Sequence, residues 1–228
     1  MSNAAAGRVA AVIPAAGSGT RLGSSLPKAF VDLNGLSLLT RSALAMSAVA
    51  DVVVIAAPAD YLEQARIAVA EVDAEVHIVV GGQSRQDSVA AGLHVLPEDV
   101  DLVLIHDAAR PLVPVEVSQA VIAELRNGAE AVIPVLPVAD TIKRVGPTEV
   151  VVETVDRSAL RRIQTPQGFT RKALHSAYAD PSHVATDDAG LMETLGIQVH
   201  TVAGSELAMK ITTALDLEIA ELLEGARS

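Results

Sequence analysis

The chain has 228 residues, half of them hydrophobic, and no cysteine, so we expect one substantial domain and exclude a thiolate nucleophile, a disulfide framework and a cysteine-ligated zinc site. A formal net charge of -11 and very few aromatic side chains disfavour nucleic acid as a partner, because such binders use basic patches and stacking rings. No apolar run approaches the ~20 residues that a membrane helix needs, and residues 1–7 lack a signal-peptide pattern, so we expect a cytoplasmic protein with no membrane partner.

The apolar segments alternate along the chain between two patterns. Short β-branched or alanine-rich runs predict buried strands, and apolar residues at every third or fourth position predict helices. The predicted strands are 9–13, 52–57, 76–80, 102–105, 131–135 and 199–202. The predicted helices are 36–49, 60–71 with Asp60 as its cap, one that opens within 81–88 and reaches about 96, 116–127, 186–195, and a last one that Thr213 caps and that ends near 223.

This alternation is typical of a parallel sheet that helices cover on both faces. We therefore predict an α/β fold, a Rossmann-like, mainly parallel twisted sheet with helices on both faces, formed by a single domain over residues 1–228. Ligands bind at the carboxyl ends of the strands in such sheets. The loops that begin at Pro14, Gly81 and His106 follow three predicted strands and together form the candidate site.

Residues 137–165 interrupt the alternation. Two β-rich runs, 141–145 and 150–155, flank the turn sequence Gly-Pro-Thr-Glu at 146–149, which is typical of a β-hairpin. The hairpin is too apolar to stand alone as two strands. We predict that residues 137–160 project as an arm and bury their valines against a second copy of the chain; packing on their own domain is the alternative.

The first loop has the character of a phosphate-binding loop, because small residues leave backbone amides uncovered and two cations follow. Its residues are Pro14, Ala15, Ala16, Gly17, Arg21 and Lys28. The lysine does not directly follow Gly23, which excludes a Walker A loop, and the glycine spacing departs from the dinucleotide-binding fingerprint. The alternative is a plain strand-to-helix turn with two solvated cations.

The second loop contains Gly81, Gly82, Ser84, Arg85 and Ser88 at a predicted helix start. Uncovered amides and the helix dipole favour an anion or a polar base edge at such a position. An ordinary capped helix with a surface arginine is the alternative.

The third loop, His-Asp-Ala-Ala-Arg-Pro at 106–111, ends a buried strand with an acid and a base. Asp107 is a candidate for holding Mg²⁺ on phosphates, since Mg²⁺ favours one or two carboxylates with phosphate oxygens and water. A structural pair between Asp107 and Arg110 is the alternative. We expect His106 to be packed or hydrogen-bonded instead of catalytic. Lys210 stands between Met209 and Ile211, where an idle lysine would be costly, so we expect it to be functional.

Taken together, these motifs resemble the 2-C-methyl-D-erythritol 4-phosphate cytidylyltransferase family. The resemblance spans nearly the whole chain and is more specific than any one loop, although the front half is shared in outline with other nucleotidyltransferases. The stretches that carry it are 14–23 with 27–28, 81–89, 106–111, 140–143, 154–157, 165–167, 186–188 and 210–212.

The resemblance implies that CMP passes from CTP to methylerythritol phosphate with release of pyrophosphate, with Mg²⁺, in the non-mevalonate route to isoprenoids. The implied catalytic residues are Arg21, Lys28, Arg157 and Lys210. The implied nucleotide-binding residues are Pro14, Ala15, Ala16, Gly17, Gly82, Gln83, Arg85, Ser88 and Ala108. The implied acceptor-binding residues are Asp107, Arg110, Thr141, Arg157, Thr165, Thr186 and Lys210. The family's arm reaches across a homodimer, so Thr141 and Arg157 are expected to complete the partner's site.

Two positions depart from the family pattern. Ala208 stands where Asn is common, and Gln83 stands where an acidic residue is common. Two other functions stay open. One is a ribitol 5-phosphate cytidylyltransferase, which would differ in its acceptor pocket. The other is a catalytically silent nucleotide-binding dimer, which the presence of three cations in the predicted site disfavours.

Overall fold

The computed structural model describes residues 7–17, 26–180 and 185–225, and these ranges contain twelve β-strands and seven α-helices. The strands are β1 (Arg8–Pro14), β2 (Asp32–Leu33), β3 (Leu36–Ser37), β4 (Val52–Ala57), β5 (Glu75–Val80), β6 (Val100–Ile105), β7 (Ala131–Pro137), β8 (Ile142–Val145), β9 (Val151–Val155), β10 (Arg161–Ile163), β11 (Gln167–Thr170) and β12 (Val199–Ala203). The helices are α1 (Leu38–Ser47), α2 (Leu62–Ala68), α3 (Arg85–Leu93), α4 (Val115–Arg126), α5 (Arg171–Tyr178), α6 (Asp188–Thr194) and α7 (Ala214–Gly225).

The main sheet has eight strands in the order β10-β7-β11-β6-β1-β4-β5, with β12 added on β7. Strand β1 lies between β4 and β6 and is parallel to both, with Val12 opposite Val54 on one side and Ile105 on the other. The chain leaves β1 toward β4 and β5, then crosses back to β6. A crevice forms at the carboxyl ends of the strands where the winding direction changes in this way.

Two hydrophobic layers cover the sheet. Along β1, Ala11 and Ile13 join a cluster that includes buried residues of α1, α2 and α4. Ala10 and Val12 point the other way, into a cluster with α3, α5 and α6. This alternation follows from the two-residue repeat of a strand. The structure therefore confirms the predicted α/β fold with a mainly parallel sheet and helices on both faces.

The sequence did not predict β10, β11 or α5. Strand β11 inserts antiparallel between β6 and β7, with Gly168 opposite both Leu104 and Val132. A Cβ on Gly168 would lie 2.3 Å from a Val121 side-chain atom, so only glycine allows α4 to pack this closely. Such a short strand, with one glycine and one large apolar residue, Phe169, has no clear two-residue alternation to reveal it.

The predicted cap of the second helix is wrong. Helix α2 begins at Leu62, and Tyr61 at its N-cap makes no side-chain cap hydrogen bond. Asp60 instead lies inside a 3₁₀ turn, Ala59–Tyr61, that starts after Pro58. In the described ranges, no helix is both long enough and apolar enough to cross a bilayer.

Strands β8 and β9 form a separate two-stranded antiparallel sheet, with Ile142 opposite Val155, which confirms the predicted hairpin. Its valines are 48% to 62% exposed: they are Val145, Val150, Val151 and Val152. The described chain therefore does not bury them on its own domain. Their burial against a second copy stays a prediction.

Candidate active site

A cavity of about 400 Å³ opens at the carboxyl ends of β1, β5 and β6. The three loops singled out in the sequence meet there, as the strand order requires. The lining residues are Pro14, Ala15, Ala16, Gly17, Lys28, Ala29, Gly82, Gln83, Ser84, Arg85, Ser88, Asp107, Ala108, Ala109, Lys210 and Thr212. The cavity thus brings together all nine residues that the resemblance assigns to nucleotide binding, although their roles stay predictions.

The two glycine-rich loops are in close contact. A Cβ on Gly81 would lie 2.7 Å from the Cβ of Ala16, so a side chain at position 81 would push the loops apart. The Gly82 amide donates to Ser88 Oγ at 3.1 Å, and the Ser88 hydroxyl donates to the Ser84 carbonyl at 2.9 Å. These contacts fix the second loop against the first turn of α3.

The start of α3 is held by a complete capping box. Ser84 Oγ accepts from the Asp87 amide, and the Asp87 carboxylate accepts from the Ser84 amide, both at 3.0 Å. This arrangement satisfies amides that would otherwise lack partners. The helix start that borders the cavity is therefore rigid, and Arg85, its first residue, is presented to the cavity wall.

Asp107 is the centre of a cluster of cations. Its Oδ2 lies 2.9 Å from Lys210 Nζ and 3.7 Å from Arg110 Nε, and its Oδ1 lies 3.2 Å from Arg85 Nε. Burial alone would raise the pKa of Asp107, but the charges of Arg85, Lys210 and Arg110 outweigh it and hold the pKa well below its usual range. Asp107 is therefore a carboxylate at neutral pH, and it organises the cations around it.

A hydrogen-bonded chain lies behind Asp107. Its amide donates to Thr165 Oγ1 at 3.0 Å, Thr165 Oγ1 lies 3.1 Å from His106 Nδ1, and His106 Nε2 lies 3.2 Å from the Arg110 carbonyl. Since a carbonyl only accepts, His106 carries its proton on Nε2, and Thr165 donates to Nδ1. Burial lowers the pKa of His106 to about 4. His106 is therefore neutral and hydrogen-bonded, as predicted from the sequence.

Arg110 is also buried, and it does not line the cavity. Its Nη1 donates to the Ala208 carbonyl at 2.7 Å, and its Nη2 donates to the Ile163 carbonyl at 3.2 Å. The departure at position 208 thus leaves a backbone anchor for Arg110 intact. Burial lowers the pKa of Arg110, against the pull of Asp107. The pairing of Asp107 with Arg110 that the sequence left open is present in the structure.

The remaining predicted residues lie elsewhere. Thr165 is buried behind Asp107, while Thr141, Arg157 and Thr186 are exposed, and none of the four lines the cavity. Arg21 lies outside the described residues. The acceptor-binding and catalytic roles assigned to these positions stay predictions.

The sequence missed two residues beside the site. Asp188, which is 1% exposed, lies 2.7 Å from Arg85 Nη1 through its Oδ2, and Tyr178 donates to its Oδ1 at 2.5 Å. Asp188 was considered only as part of a helix cap, yet the capping side chain is that of Asp187. Two consecutive acids at a helix start, of which only one is needed as a cap, were the available signal.

Asp107 does not fit a direct ligand for Mg²⁺. It is the single carboxylate among the described lining residues, and three cations already surround it. No cluster of three or more His, Asp or Glu side chains suited to a metal occurs in the described ranges. A divalent ion at this carboxylate would have to displace or repel its cationic partners.

Comparisons with known proteins agree with these observations. The family model for 2-C-methyl-D-erythritol 4-phosphate cytidylyltransferase matches residues 9–224. The protein of that name from Rhodococcus jostii (strain RHA1) is 51% identical over 224 residues, which cover 96% of this chain and 97% of the relative. The crystal structure of the protein of that name from Thermus thermophilus is 36% identical with a TM-score of 0.78 and covers 97% of this chain and 100% of that one.

A second solved structure, 4-diphosphocytidyl-2C-methyl-D-erythritol synthase from Anaerococcus prevotii DSM 20548, has a TM-score of 0.83 at 28% identity. It covers 96% of this chain and 99% of that one. Sequence and fold therefore agree over almost the full length of this chain and of each of these proteins. The chain belongs to the 2-C-methyl-D-erythritol 4-phosphate cytidylyltransferase family.

Proposed function

We propose that the chain transfers CMP from CTP to 2-C-methyl-D-erythritol 4-phosphate, giving 4-diphosphocytidyl-2-C-methyl-D-erythritol and pyrophosphate in isoprenoid biosynthesis. Family membership supports the substrates. The observation that carries the chemistry is the cavity in which Lys28, Arg85 and Lys210 meet small-residue loops. The relatives do not favour the ribitol 5-phosphate or the catalytically silent alternative.

The reaction is an in-line displacement at phosphorus. An oxygen of the acceptor phosphate forms a bond to the α-phosphorus of CTP, and the bond from that phosphorus to the oxygen bridging to the β-phosphate breaks. The electron pair leaves with pyrophosphate. Catalysis of this type depends on positioning and on neutralising charge. In the proposal, Lys28, Lys210 and the predicted Arg21 supply that positive charge.

The loops favour a nucleotide for a steric reason. Ala15, Ala16, Gly17 and Gly82 line the cavity with little side-chain volume, so backbone amides can approach the triphosphate and base closely. Gln83 at the rim offers both a donor and an acceptor in place of the family's usual carboxylate. In this proposal, backbone and small side chains recognise the cytidine.

The arm completes the proposal. Residues 1–228 would form one nucleotidyltransferase domain, and residues 137–160 would pair with a second copy. The exposed valines of the hairpin supply an apolar surface for that contact. Thr141 and Arg157 flank the two strands of the hairpin, so a partner's cavity is the site they would reach. The proposed homodimer thus joins each arm to the other protomer's acceptor site.

Mg²⁺ and a cytoplasmic location also belong to the proposal. Because the Asp107 carboxylate does not fit a direct ligand, we expect phosphate oxygens and water, not protein carboxylates, to hold the ion. No step above is assigned to it.

The test is pyrophosphate release by the purified protein with Mg²⁺, with CTP, UTP, ATP or GTP as donor and methylerythritol phosphate or ribitol 5-phosphate as acceptor. We expect release with CTP and methylerythritol phosphate only. Release with ribitol 5-phosphate instead would change the acceptor. Binding of CTP without release from any pair would favour the catalytically silent dimer.

A further inference from the structure

Charges of alternating sign run from the cavity into the protein. Lys210 contacts Asp107, Asp107 contacts Arg85, and Arg85 contacts Asp188, with N–O distances of 2.9, 3.2 and 2.7 Å. The first member is 45% exposed in its side chain and the last is 1% exposed. Asp188 is the only member that does not line the described cavity. The chain thus links a buried carboxylate to the cations that face the substrate.

Asp188 holds Arg85 from the side away from Asp107. Arg85 uses Nε for Asp107 and Nη1 for Asp188, so two carboxylates grip different edges of one guanidinium plane. The contact with Asp188 is a close ion pair and not an aligned hydrogen bond, since Oδ2 has no hydrogen-bond partner. Tyr178 donates to the other oxygen at 2.5 Å and fixes the carboxylate.

The start of α6 does not require this carboxylate. Asp187 caps the helix by accepting from the Gly190 amide at 3.0 Å. Gln167 holds the same turn, donating to Asp187 at 2.8 Å and accepting from the Ala189 amide at 3.1 Å. Asp188 is buried although it has no role in capping. A buried carboxylate is costly unless its charge is used, and its charged partner is Arg85.

We propose that Asp188 is a positioning residue for the cytidylyl transfer, acting through Arg85 to keep Asp107 aligned with Lys210. The inference rests on the proposed function for its catalytic part and on geometry alone for the contact. Without the negative charge at 188, Arg85 turns toward Asp107 and competes with Lys210 for its oxygens. The lysine then loses its fixed position beside the reacting phosphates.

The kinetic test uses Asp188→Asn, Arg85→Gln and the double variant. Asp188→Asn keeps the shape and removes the charge, and we expect kcat to fall about 10- to 100-fold, as misplacement of catalytic groups does, while KM for CTP changes less than about threefold. The double variant should match Arg85→Gln alone, because Asp188 acts only through Arg85. Multiplied losses in the double variant would overturn the proposal. Glu193→Gln, a charge change on the exposed side of the same helix, is the matched control and should behave as wild type.

A second readout does not depend on turnover. The Arg85 side-chain Nε–H resonance of ¹⁵N-labelled full-length protein, assigned by its loss in Arg85→Gln, should exchange slowly and should shift in Asp188→Asn but not in Glu193→Gln. An unchanged resonance would overturn the contact. If Asp188→Asn does not fold, Tyr178→Phe replaces it in both assays, with a smaller loss of kcat of about threefold expected; wild-type kcat and an unmoved resonance in that variant would overturn the proposal. If wild-type protein released no pyrophosphate, the proposed function and the catalytic part of the inference would both fail, and the resonance would still decide the contact.

Discussion

Lys210 Nζ lies 2.9 Å from Asp107 Oδ2, so a half-exposed cation at the cavity is tied to a carboxylate whose side chain is only 11% exposed. An unpaired lysine would sample many rotamers, and the pair limits that freedom before any substrate binds. The same carboxylate also contacts Arg85 and Arg110, so one acid coordinates three cations.

Replacing Lys210 should reduce catalysis far more than folding. In Lys210→Ala we expect kcat/KM for methylerythritol phosphate to fall about 100-fold, because one charge that neutralises phosphate oxygens is lost. Pyrophosphate release at varied acceptor concentration measures it. Lys172→Ala, which removes an exposed lysine on α5, is the control and should retain wild-type kinetics. Equal effects of the two substitutions would remove Lys210 from the mechanism.

Lys28 lines the opposite loop of the cavity. We expect Lys28→Ala to lower kcat about 100-fold, because a cation beside the triphosphate is removed, with the free energy of unfolding within about 1 kcal/mol of wild type, as for a half-buried charged side chain. Stopped assays of pyrophosphate release and urea unfolding provide the two numbers. Unchanged turnover would exclude a catalytic role for Lys28.

Protonation of His106 should weaken the fold in mild acid. Its pKa is about 4 in the folded protein against a usual 6.5, so between these values the unfolded chain binds more protons and stability falls as pH falls. The expected loss from this group between pH 7 and pH 5 is about 2 kcal/mol. Urea unfolding across this range should show a shallower pH dependence in His106→Gln than in wild type. The same slope in both proteins would contradict the assignment.

Thr165 should matter through its hydroxyl. Thr165→Val preserves the shape but leaves the Asp107 amide and His106 Nδ1 without their partner. A buried polar group left unpaired costs about 1–3 kcal/mol, so we expect a loss of about 2 kcal/mol in the free energy of unfolding. Thr165→Ser keeps the hydroxyl and should recover most of that loss. A valine variant as stable as wild type would show that the chain of hydrogen bonds is not maintained.

The proposed exchange of arms can be tested by mixing two inactive homodimers. One carries Arg157→Ala and the other Lys210→Ala. If Arg157 serves the partner's site, each mixed dimer contains one intact site, and random exchange should restore about a quarter of wild-type activity. If Arg157 serves its own site, both sites of a mixed dimer stay defective and no activity returns.

The dimer itself has an independent control. Val151→Lys with Val152→Lys places charges on the hairpin and should give a folded monomer by light scattering, since the exposed valines are the proposed contact. Ile67→Lys alters an equally apolar position, 70% exposed on α2, and should leave the oligomeric state unchanged.

The sequence predicted the strands and helices that repeat a strong pattern. Strand β4 was predicted with its full extent because all six residues are apolar and buried. The end of α4 was also anticipated, because Gly128, at φ +109, takes a backbone conformation that suits glycine. The loops were found for the same reason, since Gly81 and Gly82 approach neighbouring atoms too closely for a side chain.

Other features depend on contacts that are distant in sequence. Strand β11 is recognisable only once β6 and β7 are adjacent, because Gly168 and Phe169 carry no repeating pattern. The partnership of Arg85 with Asp188 joins residues that are far apart along the chain, and neither motif predicts it alone. The inward orientation of the Thr165 hydroxyl likewise follows from the carbonyl that His106 contacts, which no local pattern reveals.

The pairing of β7 with β10 has a consequence for how the arm can change. Pro137 lies opposite Arg161, so the chain leaves the sheet and returns to it at neighbouring positions. Everything between those residues is an insertion whose ends are held together by the sheet itself. Such an extension can be lengthened, shortened or exchanged without altering the register of the strands beneath the cavity. The fold therefore separates its nucleotide-binding framework from a modular attachment, and the two can evolve at different rates.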